Sequence, residues 1–294
     1  MDVKIGLALG GGGSRGSYQI GVLKALDEAG ILKDIHHVSG SSIGAINTMM
    51  VMAKFSFTRM IDTWETITNH DVYGHHFDHL KFSKVGLFSL KDLFEKLSKQ
   101  ITLNEIRESK IQGYVTASKI KKGSMIEQVM LHRMEKEVFH LNNFTYPHQA
   151  VLASASIPLI FGSTEIEDAY YVDGGIKDNC PVDVLIEQGC NLIFAIPIDG
   201  RFHPKAFESF PIHLISFESK KLFSITLVDI LDFKKERVKE NANYGYRLGK
   251  KMIEKLINQG IYDGHQWHLD EGFHYMALTK EEESNLDEGV NSWI

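Results

Sequence analysis

The sequence predicts an α/β protein with a mainly parallel central sheet, and three observations carry the prediction. The apolar run at residues 4–9 (KIGLAL) ends on four consecutive glycines and leads into a helical pattern. A second run, at 36–39, ends on Gly40-Ser41-Ser42-Ile43-Gly44 and leads into the apolar stretch 45–55. Further strand-like runs recur at 114–118, 138–141, 170–172 and 192–197. Strand, glycine turn and helix, twice in succession, is how parallel strands with helical crossovers read in a sequence.

The first helix carries Tyr18, Val22, Ala25, Leu26 and Ala29 near one side and stops at Gly30. Residues 56–112 are less regular but contain one amphipathic helix. Ser89 can cap it, Asp92 follows three residues on, and Leu93, Phe94, Leu97 and Ile101 form its stripe. Core packing is the preferred role for that stripe, ahead of a lid. Residues 150–156 form a small-residue helix closed by Pro158, and helical patterns dominate after residue 205, as at 243–257. The expected division is a domain over 1–205 and a mainly helical C-terminal extension, 206–294, packed on it.

Of 294 residues, 43% are hydrophobic and 24% charged, the composition of an ordinary globular chain. Cys180 and Cys190 are too few for a disulfide scaffold and read as free thiols. No run approaches the roughly 18 apolar residues of a membrane span, and the opening segment is too short for a signal peptide. A cytoplasmic protein is expected. The net charge is -6, with 12 Lys and Arg against 7 Asp and Glu in residues 201–260. A solvated helix face explains that excess better than a lipid-headgroup site, and nothing resembles a nucleic-acid footprint.

Gly40–Gly44 matches the G-x-S-x-G elbow, in which a tight strand-to-helix turn projects one serine. Ser42 is the central serine and sits where a helix N-terminus stabilises negative charge. Gly40 and Gly44 let the neighbouring backbone pass. The run Gly10 to Gly16 suits consecutive N–H groups aimed at an anion. It could bind a dinucleotide, as Gly11-x-Gly13-x-x-Gly16, or hold an oxyanion. The second strand ends in Ser39-Gly40-Ser41-Ser42 where a dinucleotide fold wants an acid, which favours the oxyanion. Asp173-Gly174-Gly175 alone reads more readily as an ordinary turn, but beside the other two segments it suits a carboxylate at a strand's end, facing a cleft.

Together these segments resemble the patatin-like phospholipase family. Gly11-Gly12-Gly13-Ser14-Arg15-Gly16 is similar to its oxyanion loop, Gly40–Gly44 to its serine elbow, and Asp173-Gly174-Gly175 to its aspartate turn. Ala153-Ser154-Ala155-Ser156-Ile157-Pro158, with Phe161, resembles its Ala-Ser-x-Ala-x-Pro segment. The resemblance covers about residues 4 to 200 and implies a three-layer α/β/α fold. It further implies lipid acyl-ester hydrolysis by a Ser42–Asp173 dyad, with Gly11, Gly12 and Gly13 around the oxyanion and Arg15 fixing the loop. Gly174 and Gly175 shape the aspartate turn. No metal or cofactor is needed; the partner is a phospholipid or other acyl lipid, with any membrane contact peripheral.

Two rivals stand beside it. A Ser-Asp-His triad would draw on His203, His213, His265, His268 or His274, none in a recognisable motif. A non-catalytic lipid-binding protein would have lost the nucleophile, base or glycines. His75, His76 and His79 read as a solvated loop rather than metal ligands, and Cys180 as a packed thiol.

Overall fold

The computed structural model describes residues 2–66, 91–121, 124, 126–158, 160–223 and 234–286. Within them one sheet runs through the molecule. Its strands are β1 (Ile5–Leu9), β2 (Ile35–Ser41), β3 (Gln112–Ile120), β4 (Glu135–His140), β5 (Thr164–Ile166), β6 (Ala169–Val172), β7 (Leu192–Ile196), β8 (His213–Ser216) and β9 (His274–Met276). From β3 the parallel run is β3-β2-β1-β7-β8-β9, while β4 and β6 pair antiparallel to β3 and β5 to β6.

Two-residue alternation divides the strands between two cores. Leu7, Leu9, Phe194 and Ile196 face the larger one, with helices α1 (Ser17–Glu28) and α2 (Ile43–Met52). Ala8, Ile193 and Ala195 face the smaller one, with Val182 and Leu185 of the Val182–Glu187 helix. Helix, sheet and helix make the three layers expected.

The C-terminal segment does more than pack as an extension. β8 and β9 continue the sheet beyond residue 205, and the Lys235–Asn258 helix lies against α1. That helix covers the expected stripe at Tyr18, Val22 and Ala25, while Gln19, on another side, donates to the Gly10 and Ile196 carbonyls, so α1 is buried nearly all round. Two glycines permit the crossing. A Cβ on Gly21 would stand 1.8 Å from the Ala242 carbonyl oxygen, and one on Gly245 would stand 2.0 Å from that of Tyr18.

The helix Lys91–Gln100 forms where the amphipathic pattern lies, and Leu97 and Ile101 are buried. Ser89 and the side chains of residues 91–94 fall outside the described residues, as do His75, His76 and His79. Both cysteines are buried free thiols. Among the described residues no helix is long and apolar enough to cross a membrane.

Candidate active site

β2 and β6 approach each other head-on along one edge of β3. Ser41 pairs with Thr116 and Val172 with Ser118, so Ser42 and Asp173 emerge on either side of Ala117. β4 takes the other edge of β3 over the same stretch. Ser42 Oγ donates to Asp173 Oδ2 at 2.5 Å, and both residues are only 7% exposed.

Ser42 is held in the left-handed half of conformational space, φ 55° and ψ -125°, a strain of about 1–3 kcal/mol that its surroundings must hold. Close backbone approaches enforce the turn. A Cβ on Gly40 would come within 2.4 Å of the Gly44 carbonyl oxygen, and one on Gly44 within 2.1 Å of the Leu9 carbonyl oxygen. The Ser42 N–H donates to Ser154 Oγ at 2.8 Å, and Ser154 in turn donates to the Thr116 carbonyl at 2.6 Å. Asp173 is fixed in the same manner: its N–H donates to the Ser156 carbonyl, and its own carbonyl accepts from Ser118 Oγ, both at 2.8 Å. The Ala-Ser-Ala-Ser segment therefore holds both residues, a role its sequence did not disclose.

The remaining carboxylate oxygen, Asp173 Oδ1, accepts the Gly175 N–H at 2.8 Å. Burial pushes the Asp173 carboxyl up to about 6, against the pull of the Ser42 and Gly175 hydrogen bonds and the nearby Arg201 charge. Gly174 is required by space, since a Cβ there would lie 1.9 Å from the Thr116 carbonyl oxygen.

The glycine loop is turned by side chains that take its carbonyls. Gln19 Nε2 donates to Gly10, Asn179 Nδ2 to Gly11 and Arg15 Nε to Gly12, at 2.8, 3.0 and 3.2 Å. Arg15 Nη1 also reaches the Leu222 carbonyl at 2.6 Å, so this buried residue ties the loop to the segment around residue 222. One expectation needs correction. The Gly11 N–H donates to the Asn179 carbonyl at 2.9 Å and is not free for an oxyanion. Gly11 instead supplies room, because a Cβ there would be 2.8 Å from Ser42 Cβ. Among the described residues the Gly12 and Gly13 N–H groups have no protein acceptor. Gly13 has φ 61°, which suits glycine.

A polar chain that the motifs missed joins the loop to the aspartate turn. Asn179 Nδ2 also donates to Asp199 Oδ2 (2.7 Å), Arg201 Nε donates to the same oxygen (2.6 Å), and Arg201 Nη1 donates to the Gly175 carbonyl (2.8 Å). Asn179 is signalled only by its nearness to the Asp-Gly-Gly turn, while Asp199 and Arg201 lie more than twenty residues beyond it and carry no local signal. The histidines considered for a triad are engaged elsewhere: His213 with the Asp270 carbonyl, His274 with that of Glu271, and His268 with Asp263. Among the described residues neither they nor His203 and His265 hydrogen-bond to Ser42 or Asp173.

A patatin-like phospholipase family model matches residues 7–186, a span that starts in β1 and ends in the helix after the Asp173 turn. The chain belongs to the patatin-like phospholipase family. Among curated relatives it is similar to the lysophospholipase nte1 of Aspergillus oryzae, at 28% identity over 66% of this chain and 12% of that protein. Its match to the lysophospholipase nte1 of Aspergillus terreus is 26% identical, over 87% of this chain and 18% of the relative. The chain thus spans less than a fifth of the length of either fungal protein. Among solved structures it is similar to VipD from Legionella pneumophila, with a TM-score of 0.41 and 16% identity, covering 86% of this chain and 67% of that one.

Proposed function

We propose that this protein hydrolyses carboxylic esters of phospholipids or other acyl lipids, with Ser42 as nucleophile and Asp173 as general base. The single observation that carries the reading is the 2.5 Å hydrogen bond from Ser42 Oγ to Asp173 Oδ2 in a nearly dry site.

Asp173 takes the Ser42 proton as Oγ attacks the ester carbonyl. The oxygen of the tetrahedral intermediate receives the N–H groups of Gly12 and Gly13. Collapse expels the alcohol, which leaves with the proton from Asp173, and water enters by the same route to release the fatty acid. A carboxyl near 6 is ionised at neutral pH yet far more basic than an ordinary aspartate, which suits this exchange. Each oxyanion donor contributes about 10²–10³ in turnover. The fungal relatives' name, lysophospholipase, supports a lipid ester as substrate.

The test is hydrolysis of a p-nitrophenyl ester series and a labelled phospholipid by wild type, Ser42→Ala and Asp173→Asn. Both variants are expected to stay folded and lose nearly all activity. An Asp173→Asn protein that keeps most of its turnover would place the base elsewhere and remove the dyad.

A further inference from the structure

The two most exposed large apolar side chains among the described residues are Ile126, at 66%, and Leu131, at 54%. Both belong to the connection between β3 and β4, beside and within its two single-turn helices, Glu127–Val129 and Leu131–Arg133. Their place in the fold is what matters. β3 continues three residues beyond Ala117, about 10 Å at strand rise, before the connection begins. The described residues of the connection, Ile126 and Leu131 among them, therefore follow from β3 beyond the level of Ser42 and Asp173.

Its base is firmly held. Ile120, Met134 and Val172 form a small core, with Tyr170 and Ile176 packed on it. Val172 and Ile176 bracket the Asp173 turn, so the exposed tip and the site share one support. Exposed Lys121 and Arg133 flank the apolar pair. The β5–β6 turn at the same end carries exposed Glu167 and Asp168, which offset those cations. An apolar tip, a cationic flank and little net charge fit a zwitterionic lipid surface better than a strongly anionic one.

We propose that Ile126 and Leu131 dock the protein on a phosphatidylcholine-type lipid surface, entering the acyl region while Lys121 and Arg133 sit at the phosphates. This orientation rests on the proposed lipid-ester hydrolysis, because it brings the Ser42 end of the sheet to the interface.

Sedimentation of the full chain with phosphatidylcholine vesicles reads the docking directly. Ile126→Ser/Leu131→Ser should weaken vesicle partitioning about tenfold or more, while hydrolysis of a monomeric short-chain ester is retained. Ile257→Ser removes another exposed apolar side chain, 47% exposed on the Lys235–Asn258 helix, and should leave partitioning unchanged. Should the double variant unfold, Lys121→Glu/Arg133→Glu serves in its place and should also weaken partitioning. Wild-type binding by the folded double variant, or no vesicle binding by the wild type, would overturn the docking surface. Vesicle binding that needs Ile126 and Leu131 in a protein that cleaves no ester would leave the docking intact and remove the hydrolase reading.

Discussion

Asn179 and Gly11 form a reciprocal backbone clamp: the Asn179 carbonyl accepts the Gly11 N–H, and Asn179 Nδ2 donates to the Gly11 carbonyl. One residue thereby sets the glycine loop against the segment that follows the Asp173 turn. Asn179→Ala keeps the backbone half of the clamp and loses the side-chain half, together with the hydrogen bond to Asp199. On a monomeric ester, kcat is expected to fall about 10–100-fold with KM little changed, since in the proposed mechanism the loop's donors act on the transition state. Steady-state kinetics at neutral pH check this.

In the proposed mechanism Asp173 must be ionised to accept the Ser42 proton, and burial holds its carboxyl near 6. The kcat/KM profile should therefore fall on the acid side with a midpoint near pH 6, well above an ordinary aspartate. A pH–rate profile over a range where the protein stays folded checks the midpoint.

The same shift has a consequence for stability, with the opposite sign to a paired surface carboxylate. The folded protein binds this proton more tightly than the unfolded chain, whose aspartates titrate near about 3.9. The contribution of Asp173 to stability therefore falls as pH rises from about 4 to 6. Asp173→Asn removes that penalty and should be more stable than wild type at pH 8, by up to roughly 3 kcal/mol, with the advantage lost below about pH 4. Paired denaturation curves across pH check the trend.

Ser154 accepts the Ser42 N–H and donates to the Thr116 carbonyl, bracing the strained turn from below. Ser154→Ala leaves two buried groups unpaired. A loss of about 1–3 kcal/mol in stability is expected, with turnover reduced because Ser42 is freed to relax from its positive φ. Thermal unfolding and kcat measured together check it.

Gly21→Ala tests the crossing of α1 with the Lys235–Asn258 helix. The new methyl would overlap the Ala242 carbonyl oxygen, so the helices must separate, at about 3 kcal/mol or more. Denaturant unfolding of the variant checks the cost.

The order of strands and turns was legible because each glycine turn sits where a local apolar run ends. Those signals lie within a few residues of one another, and so do the motifs naming Ser42, Asp173 and the glycine loop. β5, β8 and β9 were not anticipated. They are three- and four-residue strands that owe their place to neighbours far along the chain. The C-terminal segment read as mainly helical for the same reason, since its strands are too short to show a period.

The sequence by itself determined the α/β class, the candidate nucleophile and carboxylate, and the need for a tight turn at each. Only the tertiary structure decided that Ser42 and Asp173 meet, because their distance depends on two strands of opposite direction ending beside one residue of a third. It also decided which glycine N–H groups are committed: Gly11 gives its own to Asn179, while among the described residues Gly12 and Gly13 have no protein acceptor. Motif spacing is a local property of the chain; hydrogen-bond commitment is settled by partners as far away as residue 222.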